Sequence, residues 1–154
     1  MKKEEFRREF SNRREEFESL RTTVFGLISK AIAEAGVAAM PILSRVKDID
    51  SAAAKFERKK YSKPFQQMTD VVGFRVVLYL EHEIETLERT IRKYFEVDEH
   101  NSVDKRKPSD VQTVGYRSLH LICTLGKKRE KLPEYLEACD FPFEFQIRTA
   151  LAGC

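Results

Sequence analysis

A chain of 154 residues with 42% hydrophobic side chains is long enough to bury one core unaided, which sets aside both disorder and a stapled miniprotein. Charged residues reach 34%, yet the formal balance is only +3, so a general polyanion binder is excluded and any role for the bases is local. Three cysteines (Cys123, Cys139, Cys154) form no CxxC pair, three scattered histidines (His82, His100, His120) suggest no metal cluster, and neither a membrane span nor a signal peptide is evident. A reducing, cytoplasmic setting without membrane contact is expected.

From Lys2 to about Ala35, Phe6, Phe10, Phe17, Leu20, Val24, Leu27, Ile28 and Ala31 recur at steps of three, four and seven. This spacing predicts one long helix or two end to end, stopped by Gly36. Glu, Lys and Arg crowd the other faces of its first half. The segment 1–38 is therefore expected to be a solvated helix laid across the body or used in self-association, ahead of a domain over 39–154. Met40 to Val46 is a short apolar element, read as a strand, ending in Arg45-Val46-Lys47. Asp50 or Ser51 is placed to cap a helix from about Ala52 to Lys60. That helix carries Lys55, Arg58, Lys59 and Lys60, with Lys63 just beyond; Lys55 and Lys59, four apart, share a face. With Arg45 and Lys47 they form a basic cluster, or more simply a solvated helix face.

Val71 to Leu80 is nearly continuous apolar sequence and reads as a central strand. Asp70 stands at its mouth and Arg75 lies within it. Five positions apart, they fall on opposite faces of a regular strand unless Gly73 introduces a bulge. Glu83 to Tyr94 is an amphipathic helix with Ile84, Leu87 and Ile91 on one side, and Phe95 to Val97 a short strand. The polar stretch from Asp98 to Val114, with Lys105-Arg106-Lys107-Pro108, is a binding loop or a disordered connector. A strand from Leu119 to Leu125, a basic turn at Lys127-Lys128-Arg129 and a short helix from Leu132 to Ala138 follow. In Phe143 to Thr149, Phe143, Phe145 and Ile147 alternate with Glu144, Gln146 and Arg148, the pattern of a half-buried strand whose polar face meets solvent or a ligand. One mixed sheet with helices is the economical architecture.

Strands carrying Asp70 and Glu144 can set two carboxylates side by side. Such a pair repels, and one pKa rises, unless a cation sits between them. Magnesium suits this role, because it takes oxygen ligands and leaves several positions to water and phosphate. The bases around Lys55 and Arg58 would then neutralise a polyphosphate, completing the parts needed for phosphoryl-type transfer. Arg45 and Arg75 are alternatively suited to stacking on a flat base, and Tyr116 beside Gly115 offers a second stacking surface.

Gly115-Tyr116-Arg117-Ser118-Leu119-His120, followed by Glu144-Phe145-Gln146-Ile147-Arg148-Thr149, resembles the synthetase domain of RelA/SpoT-type alarmone synthetases. Arg45-Val46-Lys47 with Ser51 and Lys55, and Asp70-Val71-Val72-Gly73-Phe74-Arg75, match that domain's earlier motifs in order, over about residues 40 to 150. The resemblance implies a small, single-domain alarmone synthetase or a toxin relative. The implied fold is α/β (α+β) and nucleotidyltransferase-like, with a mixed, mainly antiparallel central sheet, flanking helices and a long N-terminal helix. The implied reaction moves a pyrophosphoryl group from ATP to the ribose 3′-hydroxyl of GDP or GTP, making (p)ppGpp and leaving AMP, with Mg2+ as cofactor.

On this mapping Asp70 holds the magnesium, and Glu144 is a second ligand or takes the hydroxyl proton. Arg45 and Arg75 sandwich adenine, while Lys47, Lys55, Arg58 and Lys59 meet the ATP phosphates; Ser51 is an ATP ligand or only a helix cap. Tyr116 stacks on the acceptor base, with Lys107, His120, Gln146 and Arg148 around its ribose and phosphates. His120 is alternatively a core hydrogen-bonding residue, and Arg148 a partner for Glu144 or Asp70. Two departures stand out. The family usually continues into a helix bearing His and Trp, where this sequence reads Ala150-Leu151-Ala152-Gly153-Cys154, which puts full catalysis in question. The approach to the tyrosine, KPSDVQTV, lacks the usual Pro-Lys-Pro-Asn-Gly. The acceptor thus stays open between a guanine nucleotide and, for a toxin relative, an adenine nucleotide or the 3′ end of tRNA, with Lys127-Lys128-Arg129 as a tRNA contact. A non-catalytic nucleotide- or RNA-binding remnant is the third reading, and a second copy or an antitoxin are conceivable partners.

Overall fold

The computed structural model describes residues 1–104, 118–135 and 141–150. The chain begins with two helices end to end, α1 (Lys3–Asn12) and α2 (Arg14–Ala35), which part at Arg13. Gly36 ends α2 at φ 69°, a left-handed turn that costs glycine little, and its N–H closes on the carbonyls of Ile32 and Ala33. All eight apolar residues of the periodic stripe are buried. Phe6 stacks on Phe56 at 4.6 Å and on Phe65 at 5.3 Å, and Phe17 meets Phe141 at 4.9 Å. The expected solvated helix is thus a structural wall of the core. Its charged faces were visible in the sequence, whereas the partners of its apolar stripe lie 40 or more residues downstream.

Strand β1 (Leu43–Val46) leads within two residues into α3 (Ile49–Lys59). The cap of α3 is Asp48, whose carboxylate accepts from the backbone N–H of Ser51 at 2.9 Å and from its hydroxyl at 2.7 Å. The helix therefore starts three residues earlier than expected, and neither Asp50 nor Ser51 is its cap. A short α4 (Pro64–Gln67) precedes β2 (Val72–Leu78), followed by α5 (Glu83–Tyr94), β3 (Glu96–Val97), β4 (Val103–Asp104) and β5 (Ser118–Thr124). Beyond Gly126, the basic turn winds into one helical turn, α6 (Lys127–Glu130). Where a helix from Leu132 was expected, the described residues form a 3-10 turn over Pro133–Tyr135. Strand β6 (Phe143–Thr149) is the last described element.

Among the described residues the sheet has six strands in the order β1-β2-β6-β5-β3, with β4 also on β5. Only β2 and β6 pair in parallel; every other pairing is antiparallel. Helices α2 and α5 pack together and cover the apolar face, where Phe74 and Phe95 each meet Phe143 edge to face. This is the mixed, mainly antiparallel, helix-flanked sheet expected from the sequence. No helix among the described residues is long and apolar enough to cross a membrane.

Phe6 has no exposed surface and touches two rings contributed by other elements. Phe6→Ala is expected to lower unfolding free energy by about 3–5 kcal/mol, read by urea denaturation.

Candidate active site

The face of the sheet opposite the helices is built by register. Arg45 on β1 lies across from Gly73 on β2, and Gly73 from Glu144 on β6. One pleat on, Leu43, Arg75, Gln146 and His120 form a second row across four strands. Side chains of one parity share a face, so the polar residues of β6 and the arginines of β1 and β2 are gathered on one side. Between them lies a cleft of about 340 Å³, lined by Leu43, Ser44 and Arg45 from β1, Gly73, Phe74 and Arg75 from β2, and Glu144 and Gln146 from β6. Asp70 completes its wall.

Asp70 does not belong to β2; it sits in the turn two residues before it. No bulge is needed to bring it to the side of Arg75, and Gly73 stays in regular register with both neighbouring strands. The glycine serves differently. A Cβ built there meets nothing within 4 Å, so its missing side chain leaves the cleft floor open between Arg45 and Glu144.

Two lysines hold the Asp70 carboxylate. Lys47, fixed at the end of β1 by a 2.7 Å bond from its N–H to the Val71 carbonyl, places Nζ 2.8 Å from Oδ2. Lys55, in the second turn of α3, places Nζ 2.9 Å from Oδ1. The three side chains are only 13%, 20% and 21% exposed for Lys47, Lys55 and Asp70, so this is no loose surface pair. Burial alone would raise the Asp70 pKa, but the hydrogen bonds and charges of Lys47 and Lys55 outweigh it and hold the carboxyl below its ordinary value of 3.8.

Glu144 meets an amide and an imidazole on its own face. The Gln146 amide donates to its Oε1 at 2.6 Å, and His120 Nδ1 lies 3.3 Å from the same oxygen. Gln146 also accepts from Arg75 Nε at 3.2 Å, and His120 Nε2 meets the Ser118 hydroxyl at 2.9 Å. Among the described residues no three His, Cys, Asp or Glu groups gather as a metal site. Two carboxylates on one polar cleft nevertheless suit a magnesium ion, which needs few protein ligands and takes the rest from water and phosphate.

The family model for the region found in RelA / SpoT proteins matches residues 44–152. The chain belongs to the RelA/SpoT family. No curated protein matches it. Solved structures similar to this RelA/SpoT chain include small alarmone synthetase 1 of Bacillus subtilis bound to its product pppGpp, at 22% identity and a TM-score of 0.59 over 95% of this chain and 74% of that one. Small alarmone synthetase 2 of Bacillus subtilis aligns at 22% identity and a TM-score of 0.64, covering 86% of this chain and 68% of that one. A GTP pyrophosphokinase family protein from Streptococcus pneumoniae aligns at 20% identity and a TM-score of 0.62, covering 94% and 70%. At these identities the likeness is one of fold.

Of the residues that the family resemblance implicates, Arg45, Asp70, Arg75, Glu144 and Gln146 line the cleft, and Lys47 and Lys55 join it through Asp70. His120 reaches it through Glu144. Arg148 is half-buried on the same face of β6, across from Val77 and Ser118, outside the cleft lining. Ser51 is exposed and donates its hydroxyl to Asp48, the residue that caps α3, so it is neither the cap nor part of the lining. Arg58 and Lys59 are exposed near the end of α3, also outside the lining. Lys107 and Tyr116 lie outside the described residues. In the basic turn, Arg129 donates to the Tyr94 carbonyl and stacks over Tyr94 and Tyr135, which leaves Lys127 and Lys128 as its exposed bases. Sequence reasoning missed Leu43 and the open floor at Gly73. A glycine inside a strongly β-prone run was the available signal for the second.

Gly73→Val is expected to change unfolding free energy by less than about 1 kcal/mol. A crystal structure of the variant should show the new methyl groups filling the space between Arg45 and Glu144. The depressed Asp70 pKa sets a sign: its stabilisation is present above the unfolded pKa and disappears as pH falls through the folded value. The urea-melt stability gap between wild type and Asp70→Asn should therefore be full at neutral pH and close as pH falls below the ordinary carboxylate value of 3.8.

Proposed function

We propose that this chain transfers the β,γ-pyrophosphoryl unit of ATP to the 3′-hydroxyl of GDP or GTP, producing (p)ppGpp and AMP. The observation that carries this reading is the pairing of Asp70 with Lys47 and Lys55 at the wall of a cleft that also holds Glu144, within a RelA/SpoT domain. Small alarmone synthetase 1 of Bacillus subtilis, solved with its product pppGpp and with AMPCPP, is a precedent for both nucleotides on this fold.

The acceptor 3′-oxygen attacks the β-phosphorus of ATP, the bond from that phosphorus to the α,β-bridging oxygen breaks, and AMP leaves. Little covalent chemistry falls to the protein; positioning and charge neutralisation dominate. Lys47 and Lys55 supply the cationic charge for the triphosphate. Arg45 and Arg75, one pleat apart on neighbouring strands, present guanidinium planes to adenine. Glu144 accepts the hydroxyl proton, its carboxylate oriented by Gln146 and His120. Asp70 is the residue that would hold magnesium, with Glu144 as second ligand in the alternative to its role as base, and the ion when bound supplies neutralisation of the phosphate oxygens.

Incubation with γ-labelled ATP and, separately, GDP, GTP, ATP or tRNA tests the reading. Label on a guanine nucleotide is expected. Label on tRNA or an adenine nucleotide would replace the acceptor, and binding without transfer would reject the activity. Asp70→Asn and Glu144→Gln should each lower transfer by about a hundredfold or more while the circular dichroism spectrum is preserved.

A further inference from the structure

Both oxygens of Asp70 are engaged before any nucleotide arrives. Lys47 takes Oδ2 at 2.8 Å and Lys55 takes Oδ1 at 2.9 Å. Two ammonium groups on one carboxylate leave the triad with a net positive charge in a site screened from water. A divalent cation approaching alone meets an acid already neutralised and two cations of like sign. Conversely, the same two lysines reach a triphosphate only by leaving Asp70.

Resting on the activity proposed above, we propose that Lys47 and Lys55 are displaceable counter-ions, which keep Asp70 from a metal until a polyphosphate draws them off. The physical consequence is coupling. The triphosphate takes the lysines and bares the carboxylate; the metal, once on the carboxylate, leaves the lysines no place to return. Each ligand therefore strengthens the other by the same factor. This protein-borne coupling adds to the direct affinity of a divalent cation for phosphate, and metal binding without nucleotide isolates it. The two anchors differ in how they can move. Lys47 is fixed through its backbone to Val71, so only its side chain swings. Lys55 lies inside a helix whose cap and buried alanines hold its backbone, and it too moves by rotamer alone. Exchange thus needs no rearrangement of the sheet.

Manganese is a paramagnetic probe for the magnesium site. Free Mn2+ is titrated by electron paramagnetic resonance against the full chain without nucleotide. Wild type is expected to bind weakly. Lys55→Met, which leaves Lys47 to neutralise Asp70, should bind Mn2+ alone at least about tenfold tighter. Lys47→Met combined with Lys55→Met should bind tighter still, and adding Asp70→Asn should abolish the gain. A Lys55→Met chain that melts cooperatively yet binds Mn2+ no better than wild type overturns the proposal. A second measurement needs no substitution: on adding AMPCPP in the presence of a chelator, the side-chain ammonium resonances of Lys47 and Lys55 should shift, and unmoved resonances overturn it equally. Neither readout involves the acceptor or the transfer step. Failure here leaves the transfer assay to judge the activity, and failure of transfer leaves the counter-ion exchange intact.

Discussion

The parallel pairing of β2 with β6 places Glu144 beside Gly73 and Gln146 beside Arg75. Alternation along a strand then assigns Phe143, Phe145 and Ile147 to the helix-covered face, where all three are fully buried. A slip of one residue would bury a carboxylate, an amide and a guanidinium while exposing two phenylalanines and an isoleucine, an error that the hydrophobic term forbids. The precision of the polar cleft is therefore enforced from the other side of the sheet, by edge-to-face contacts of Phe143 with Phe74 at 5.6 Å and with Phe95 at 5.1 Å.

The two carboxylates on this cleft live in different surroundings. Asp70 is gripped by cations and stays ionised, whereas Glu144 is positioned by an amide and an imidazole. The open floor at Gly73 separates Arg45 from Glu144 along one row of the sheet.

Much of this was legible in the residues. The alternation in β6, the amphipathic period of α5 with its bounds at Glu83 and Tyr94, and the apolar run of β2 each carry a local signal strong enough to place the element. The motifs named Asp70, Glu144 and the arginines as companions, and the cleft brings them together. Other features depended on distant partners. Asp48 capped α3 because β1 ends only two residues earlier, a boundary that sequence places poorly. The Ser51 hydroxyl is taken up by the capping carboxylate of Asp48, a local bond that residue type alone does not announce. The amphipathic stripe of α1 and α2 was plain, but its burial against Phe56, Phe65 and Phe141 is a tertiary fact.

Strand β6 is inserted between β2 and β5, although both precede it in the chain. During synthesis, then, the middle of the sheet is the part delivered after its flanks, and the gap stays open until residues 143–149 leave the ribosome. Asp70 and its lysines are translated long before, but the opposing carboxylate is missing, and so is the row that carries Gln146. A nascent chain or degradation fragment ending short of β6 has the arginines and Asp70 of the cleft but neither Glu144 nor Gln146.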